Sequence, residues 1–225
     1  MELEETLTRL PATPAEGREW QESLAPRVIL DGLLTPPEIV LGLDCAGPPR
    51  GGDGRIRAAG VVVTRSGEVL EERVCEVEVT FPYVPGLLAL REAPALFEVL
   101  RAIRARVDAI FVDGHGILHP RRFGIACLVG LATAIPSVGV AKQPFGASYE
   151  EPSGQPGSTS PLRLASRPAG TAVRTRRGDR PIFVSPGHLV SVETSAAWVI
   201  AFARRGRLPE PTRLADRLAG ARGGT

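Results

Sequence analysis

The chain has 225 residues, 43% of them hydrophobic, and a formal net charge of +2, so it can bury one good core and permits a polyanionic partner without demanding one. Three cysteines, Cys45, Cys75 and Cys127, stand far apart with no C-x-x-C pair, which argues against a disulfide framework and a zinc knuckle and fits a reducing cytoplasm. The start, Met1-Glu2-Leu3-Glu4-Glu5, is acidic where a signal peptide is basic, and no apolar run approaches the roughly 20 residues of a membrane span, so a soluble cytoplasmic protein is expected.

Residues 1–37 read as a polar, partly helical lead-in broken by Pro11, Pro14, Pro26 and Pro36, with no chemistry of its own. The core is expected over about residues 38–218, as a single domain within 1–225. Residues 38–44 (EIVLGLD) form a short apolar run ending in a carboxylate; 56–64 and 69–80 follow with strand-like composition, and the Gly-rich links at 47–54 and 66–67 make the three an antiparallel meander. Residues 87–106 read as helix, with Pro94 breaking or restarting it. A buried strand at 109–113, a buried helix at 123–134 and a second buried strand at 137–141 form a β-α-β unit, which implies parallel pairing. The Pro, Gly and Ser content of 143–168 reads as a surface excursion. Strands resume near 171–174 and 181–185, a helix with Ser191 as N-cap runs from 191 to 204, and a short helix covers 212–219.

An α/β order of β-β-β-α-β-α-β, antiparallel meander first and parallel strands after it, resembles the ribonuclease-H-like fold, a mixed sheet flanked by helices. That resemblance implies that the first and fourth strands lie side by side and parallel, which would bring Asp44 and Asp113 together at one edge. One aspartate after a strand is more often a turn cap. Two at matched strand ends, each behind apolar residues, would repel and protonate unless a cation held them, and magnesium takes such oxygen ligands. Glu92 and Asp216 are further acids within reach, though spacing alone does not select them.

Four blocks read together are similar to the endonuclease V family. They are Phe81-Pro82-Tyr83-Val84-Pro85-Gly86 running to Arg91-Glu92; Phe111-Val112-Asp113-Gly114-His115-Gly116 with His119-Pro120-Arg121-Arg122; Val138-Gly139-Val140-Ala141-Lys142; and Leu208-Pro209-Glu210-Pro211-Thr212-Arg213 leading to Asp216. The resemblance implies metal-binding roles for Asp44 and Asp113, completion of the acidic cluster by Glu92, a fourth position at Asp216, and a place for Lys142 beside the scissile phosphate, where a compact positive charge stabilises the transition state. The implied activity is a DNA-repair endonuclease that needs Mg2+, with Mn2+ able to substitute. It hydrolyses the second phosphodiester bond 3′ to a deaminated purine such as hypoxanthine, leaving a 3′-hydroxyl and a 5′-phosphate. Its partner is nucleic acid, either DNA with hypoxanthine or RNA with inosine.

Pro82 and Pro85 stiffen a loop that presents Tyr83, and the resemblance implies a wedge beside the lesion while the base turns into a pocket. A tyrosine packed beside a Pro-rich turn is the plainer reading. His115 and His119 are four apart, but Gly114, Gly116 and Pro120 speak against a helical zinc pair. A Gly-rich loop is expected instead, with Gly86 in the substrate-binding loop, Gly116 near the base pocket and His119 beside the metal cluster. For His188 a structural role and a functional one stay open. Arg121-Arg122 and the basic run Arg174 to Arg180 are either solvated faces or phosphate contacts. Two departures from the family stand out: no aromatic follows Asp44 in Cys45-Ala46-Gly47-Pro48-Pro49, and Gln143 stands where a second lysine is common. The alternatives are a nuclease of this fold with no lesion preference or acting on inosine in RNA, and a non-catalytic nucleic-acid-binding module. No repeat or coiled-coil pattern suggests an oligomer, so a monomer is expected.

Overall fold

Strand β1 (Ile39–Ala46) is the line from which the sheet grows in the computed structural model, which describes residues 1–32, 35–48 and 54–221. Strands β2 (Arg55–Thr64) and β3 (Val69–Glu78) leave it as an antiparallel meander. On its other side β4 (Ala109–Asp113) runs parallel to it, and β5 (Ser137–Ala141) runs parallel to β4. The sheet closes with β6 (Thr159–Leu164), β7 (Arg167–Val173) and β8 (Ile182–His188), all antiparallel to their neighbours, in the order β3-β2-β1-β4-β5-β8-β7-β6. The α/β, ribonuclease-H-like arrangement expected from the element order is the one that forms.

Successive side chains of a strand face opposite sides, and both sides of the central strands are covered. Leu41, Leu43, Ile110 and Val112 face α3 (Leu88–Ala102) and α4 (Ile125–Thr133), joined by Leu7 of α1 (Glu5–Thr8) and Leu24 of α2 (Pro14–Leu24). Val40, Phe111, Val138 and Val184 face the other way, toward Trp198 and Val199 of α5 (Val192–Ala201). On that side Val61 and Val63 pack on Leu214 and Ala215 of α6 (Glu210–Gly220). Gly42 makes the last packing possible, because a Cβ there would strike the backbone of Pro211. Ser191 caps α5 as expected, accepting from the Thr194 N–H at 3.1 Å.

Four expectations need correction. Pro94 neither breaks nor restarts its helix: α3 is continuous through it, because Leu90, Ala93, Ala95, Leu96 and Phe97 are all buried and their packing outweighs one lost backbone hydrogen bond. The surface excursion at 143–168 contains β6, whose buried Ser160 and Leu162 alternate with exposed Thr159 and Pro161; proline is tolerated because β6 is an edge strand. Asp44 does not close its strand, which continues to Ala46. The lead-in is part of the core, its helix α2 fixed by a capping box between Thr13 and Glu16, with Gln21 and Leu24 buried. Of the expected Gly-rich link at 47–54, residues 49–53 lie outside the described residues, as do residues 33 and 34 of the lead-in. Among the described residues no helix is long and apolar enough to cross a membrane.

Candidate active site

The parallel pairing of β1 and β4 sets Leu43 opposite Val112, so the next residues, Asp44 and Asp113, emerge side by side. Helix α6, seated on Gly42, adds Asp216, and one carboxylate oxygen from each of the three lies within 4.8 Å of the others. Lys142, one residue past the end of β5, bridges two of them: its Nζ is 2.7 Å from Asp113 Oδ2 and 2.6 Å from Asp216 Oδ1. Arg207 donates to the Lys142 carbonyl at 3.1 Å and to that of Pro181 at 2.8 Å, which fixes the backbone that presents the lysine. Glu92, from the second turn of α3, lines the same cleft.

Burial sets the electrostatics. It pushes the Asp44 carboxyl up to about 8, helped by the charge of Asp113 and opposed by Lys142. Burial and Asp113 likewise push Glu92 up to about 8, and burial raises Asp113 against the pull of Lys142. For Lys142 burial works against the charge, but Asp113, Asp216 and Asp44 together outweigh it and hold the ammonium above its ordinary range. Several buried carboxylates with one ammonium between them make an electronegative oxygen cluster, a donor set suited to a hard divalent cation.

Directly beside the cluster is a narrow slot of about 70 Å3 walled by Gly86, Glu92, Gly114, His115, His119 and Phe145. The Phe145 ring stacks on His119 at 5.7 Å and leans on His115 at 5.1 Å. His119 Nδ1 accepts from the Arg121 N–H at 3.2 Å, so Nε2 carries the proton and donates it to the Gly86 carbonyl at 2.9 Å. Burial pushes both imidazoles down to about 4, so they are neutral rings. A larger cavity of about 510 Å3, between the β6–β7 hairpin and α5, stands apart, with Arg163 and Glu193 as its charged residues.

The description of the Endonuclease V family matches residues 22–217. The chain belongs to the endonuclease V family. Among curated relatives, the Endonuclease V of Xanthomonas campestris pv. campestris strain B100 is 44% identical over 211 residues, covering 93% of this chain and 89% of its own. The crystal structure of Endonuclease V from Streptomyces avermitilis is 42% identical with a TM-score of 0.87, over 94% of this chain and 93% of that one. Ciona intestinalis Endonuclease V, solved in complex with a 24mer DNA containing an inosine followed by a ribo-adenosine, shares the fold at 23% identity and a TM-score of 0.76, over 91% and 95%. This chain is thus an endonuclease, and the reading as a non-catalytic module falls.

Measured against the endonuclease V blocks, the structure brings Asp44, Glu92, Asp113, Lys142 and Asp216 to one cleft. Gly86 and His119 stand in the adjoining slot. Pro82 and Pro85 are exposed, whereas Tyr83 is half-buried and walls a cavity with Cys45, Pro48, Arg91 and Glu92, so its ring is less projected than the stiff loop suggested. Gly116 is buried, its N–H donating to Ser185 Oγ at 2.8 Å and with no room for a Cβ against the Pro186 carbonyl, while Gly114 and Gly124 line the slot. His119 lines the slot together with Glu92 and Asp113, as expected, and both of its ring nitrogens are engaged by protein partners. His188 accepts from the Ile29 N–H at 3.2 Å and ties the lead-in to β8, a structural duty. Arg174 is buried, bridging Glu151 at 2.5 Å and binding the Pro152 carbonyl, so it anchors the excursion.

Gln21, Arg207 and Phe145 were missed as site residues. An exposed phenylalanine in Pro144-Phe145-Gly146, three residues after Lys142, was a readable signal; its φ of +49° turns the ring back over the histidines. Arg207 directly precedes the Leu208 block. Nothing in the sequence around Gln21 marks it.

Proposed function

We propose that this endonuclease cleaves nucleic acid beside a deaminated purine, hypoxanthine, with Mg2+ held by Asp44 and Asp113 and supported by Glu92 and Asp216. The observation that carries the reading is the shared strand end: Asp113 belongs to the carboxylate cluster, and Gly114-His115, which follow it, wall the neutral slot. A base turned out of the stack into the slot, the way enzymes that act at a base reach it, would lay the strand just 3′ of it along the carboxylates. The DNA held by the Ciona intestinalis relative contains an inosine, in keeping with that assignment.

When bound, the cation supplies Lewis-acid polarisation of the phosphate and a more acidic water. The side chains do the rest. Asp44 and Asp113 provide oxygen ligands, and Glu92, pushed up to about 8 by burial and Asp113, holds its proton near neutral pH until positive charge reaches the cluster. Lys142 offers a fixed positive charge to a phosphate oxygen, in a site where such charges count for more than in water. The stacked Phe145 and His119 rings give the slot an aromatic wall for a flat base. The bond cut would be the second phosphodiester 3′ to the lesion, leaving a 3′-hydroxyl and 5′-phosphate.

The test is cleavage of matched oligonucleotides with and without one hypoxanthine, as DNA and as RNA, with Mg2+, Mn2+, Zn2+ or chelator. Cutting that needs the lesion and Mg2+ or Mn2+ is expected. Equal cutting of the unmodified strand, or full cutting in chelator, would sink the proposal.

A further inference from the structure

Gln21 stands on α2, one residue outside the segment that the family description matches, and is 1% exposed. Both ends of its amide are used. Nε2 donates to the Phe123 carbonyl at 3.1 Å, and Oε1 accepts from Nε of Arg121 at 2.7 Å. A buried amide so fully engaged is expensive to disturb, since each partner left alone stays buried without water.

The network does not end at Arg121. Its Nη2 donates to the Gly86 carbonyl at 2.7 Å, the same oxygen that takes the Nε2 proton of His119 at 2.9 Å. Gly86 closes the Pro82–Pro85 loop with φ +79°, a conformation open to glycine and strained for other residues. A carbonyl gripped by an imidazole and a guanidinium has its peptide plane fixed, and with it the direction in which the loop leaves the slot. Arg121 is pushed by Arg18 and drawn by Glu22, so charge alone does not aim its guanidinium. The Gln21 oxygen takes Nε and leaves Nη2 turned toward Gly86.

We infer that Gln21 is a positioning residue of the slot: acting through Arg121, it sets the Gly86 peptide and so the discrimination of the base that the slot receives. The part about discrimination rests on the lesion-directed reading above; the part about the loop does not. The N-terminal helix thereby belongs to the recognition apparatus as well as to the core.

The experiment uses the full chain and three variants. Gln21→Leu keeps the volume and removes both hydrogen bonds, Gln21→Glu keeps the acceptor for Arg121, and Arg121→Lys keeps the charge but cannot span Gln21 and Gly86. Hydrogen exchange without nucleic acid reads the loop through the Leu87 N–H, which bonds the Val84 carbonyl at 2.9 Å. Gln21→Leu and Arg121→Lys are expected to speed exchange there by about tenfold, with β1 and β4 unchanged, and Gln21→Glu, which keeps the bond to Arg121 but gives up the one to Phe123, by less. On hypoxanthine oligonucleotides Gln21→Leu should raise KM by about tenfold with kcat within about twofold, and Gln21→Glu should raise KM less. Parental exchange at Leu87 in both Gln21→Leu and Arg121→Lys overturns the inference, as does a rise that spreads equally to β1 and β4. If Gln21→Leu does not fold, Arg121→Lys decides. A parent that cuts plain and modified strands alike refutes the lesion-directed reading, while the exchange result still decides the positioning.

Discussion

The two ends of the cleft bury polar groups in opposite ways. At the catalytic end Asp44, Glu92 and Asp113 crowd like charges out of water, and all three are held above the ordinary carboxylate range. At the recognition end His119, Arg121, Gln21 and Gly86 form a closed set of hydrogen bonds around neutral rings. Strand β4 and the loop after it contribute to both ends, Asp113 to the first and His119 and Arg121 to the second. The difference teaches where each kind of work is prepared: the first end is frustrated until positive charge arrives, and the second is rigid before any ligand comes.

The largest effect is expected from Asp113→Asn. The amide keeps the shape but removes the charge that Lys142 bridges at 2.7 Å and that a cation would need. Cleavage is expected to fall by about 10^2 to 10^3 or more, with nucleic-acid binding retained, because the amide fills the same place in the slot wall. Single-turnover cleavage and fluorescence anisotropy on the same oligonucleotide measure the two. Asp44→Asn should follow the same direction and Glu92→Gln a milder one. Cleavage by Asp113→Asn within tenfold of the parent would place the chemistry elsewhere.

The catalytic end was the more legible of the two. Strand β4 at 109–113 and strand β5 at 137–141 were read with the bounds they have, because short apolar runs bounded by turns leave little freedom. With a parallel β1–β4 pair, the meeting of Asp44 and Asp113 follows from register alone. The recognition end depends on long-range hydrogen bonds, such as Gln21 to Phe123 across 102 residues, for which no local pattern exists. Strand β6 was hidden by Pro161 and the serines around it, since composition speaks for a loop while the edge position tolerates proline. Pro94 misled in the same way, local propensity against tertiary burial.

Tyr83→Ala addresses the border between the two ends, since the ring shares a cavity with Glu92 and Cys45. If it stacks into the space left by a displaced base, its loss removes about 1 to 3 kcal/mol of stacking, or roughly tenfold or more in kcat/KM on duplex substrate. A single strand already lacks that stack, so the loss there should be smaller. Thermal melting close to the parent's is required for the comparison. A variant that cuts duplex and single strand like the parent would make Tyr83 a packing residue of its half-buried cavity.

The smallest effect concerns stability against pH in chelator, and here the two ends should oppose each other. Asp44 and Glu92 have their pKa raised by folding to about 8, so the fold binds their protons more tightly than the unfolded chain does. Their contribution is fully present below the ordinary carboxylate range and is lost as pH rises toward 8. His115 and His119 are lowered from 6.5 to about 4, so the unfolded chain takes up their protons first. Their contribution is present above 6.5 and is lost as pH falls toward 4. The melting temperature should therefore decline on both sides of a maximum. About 1 kcal/mol corresponds to roughly 2 to 4 °C for a chain of this size, so shifts of several degrees are expected. Asp44→Asn and Glu92→Gln should flatten the alkaline side alone, exceeding the parent at pH 8, and His119→Gln should flatten the acid side alone. Mg2+ should raise the parent's melting temperature at pH 8 and raise that of Asp44→Asn much less. An alkaline limb that survives in Asp44→Asn and Glu92→Gln together would mean that the catalytic carboxylates are not the frustrated end of the cleft.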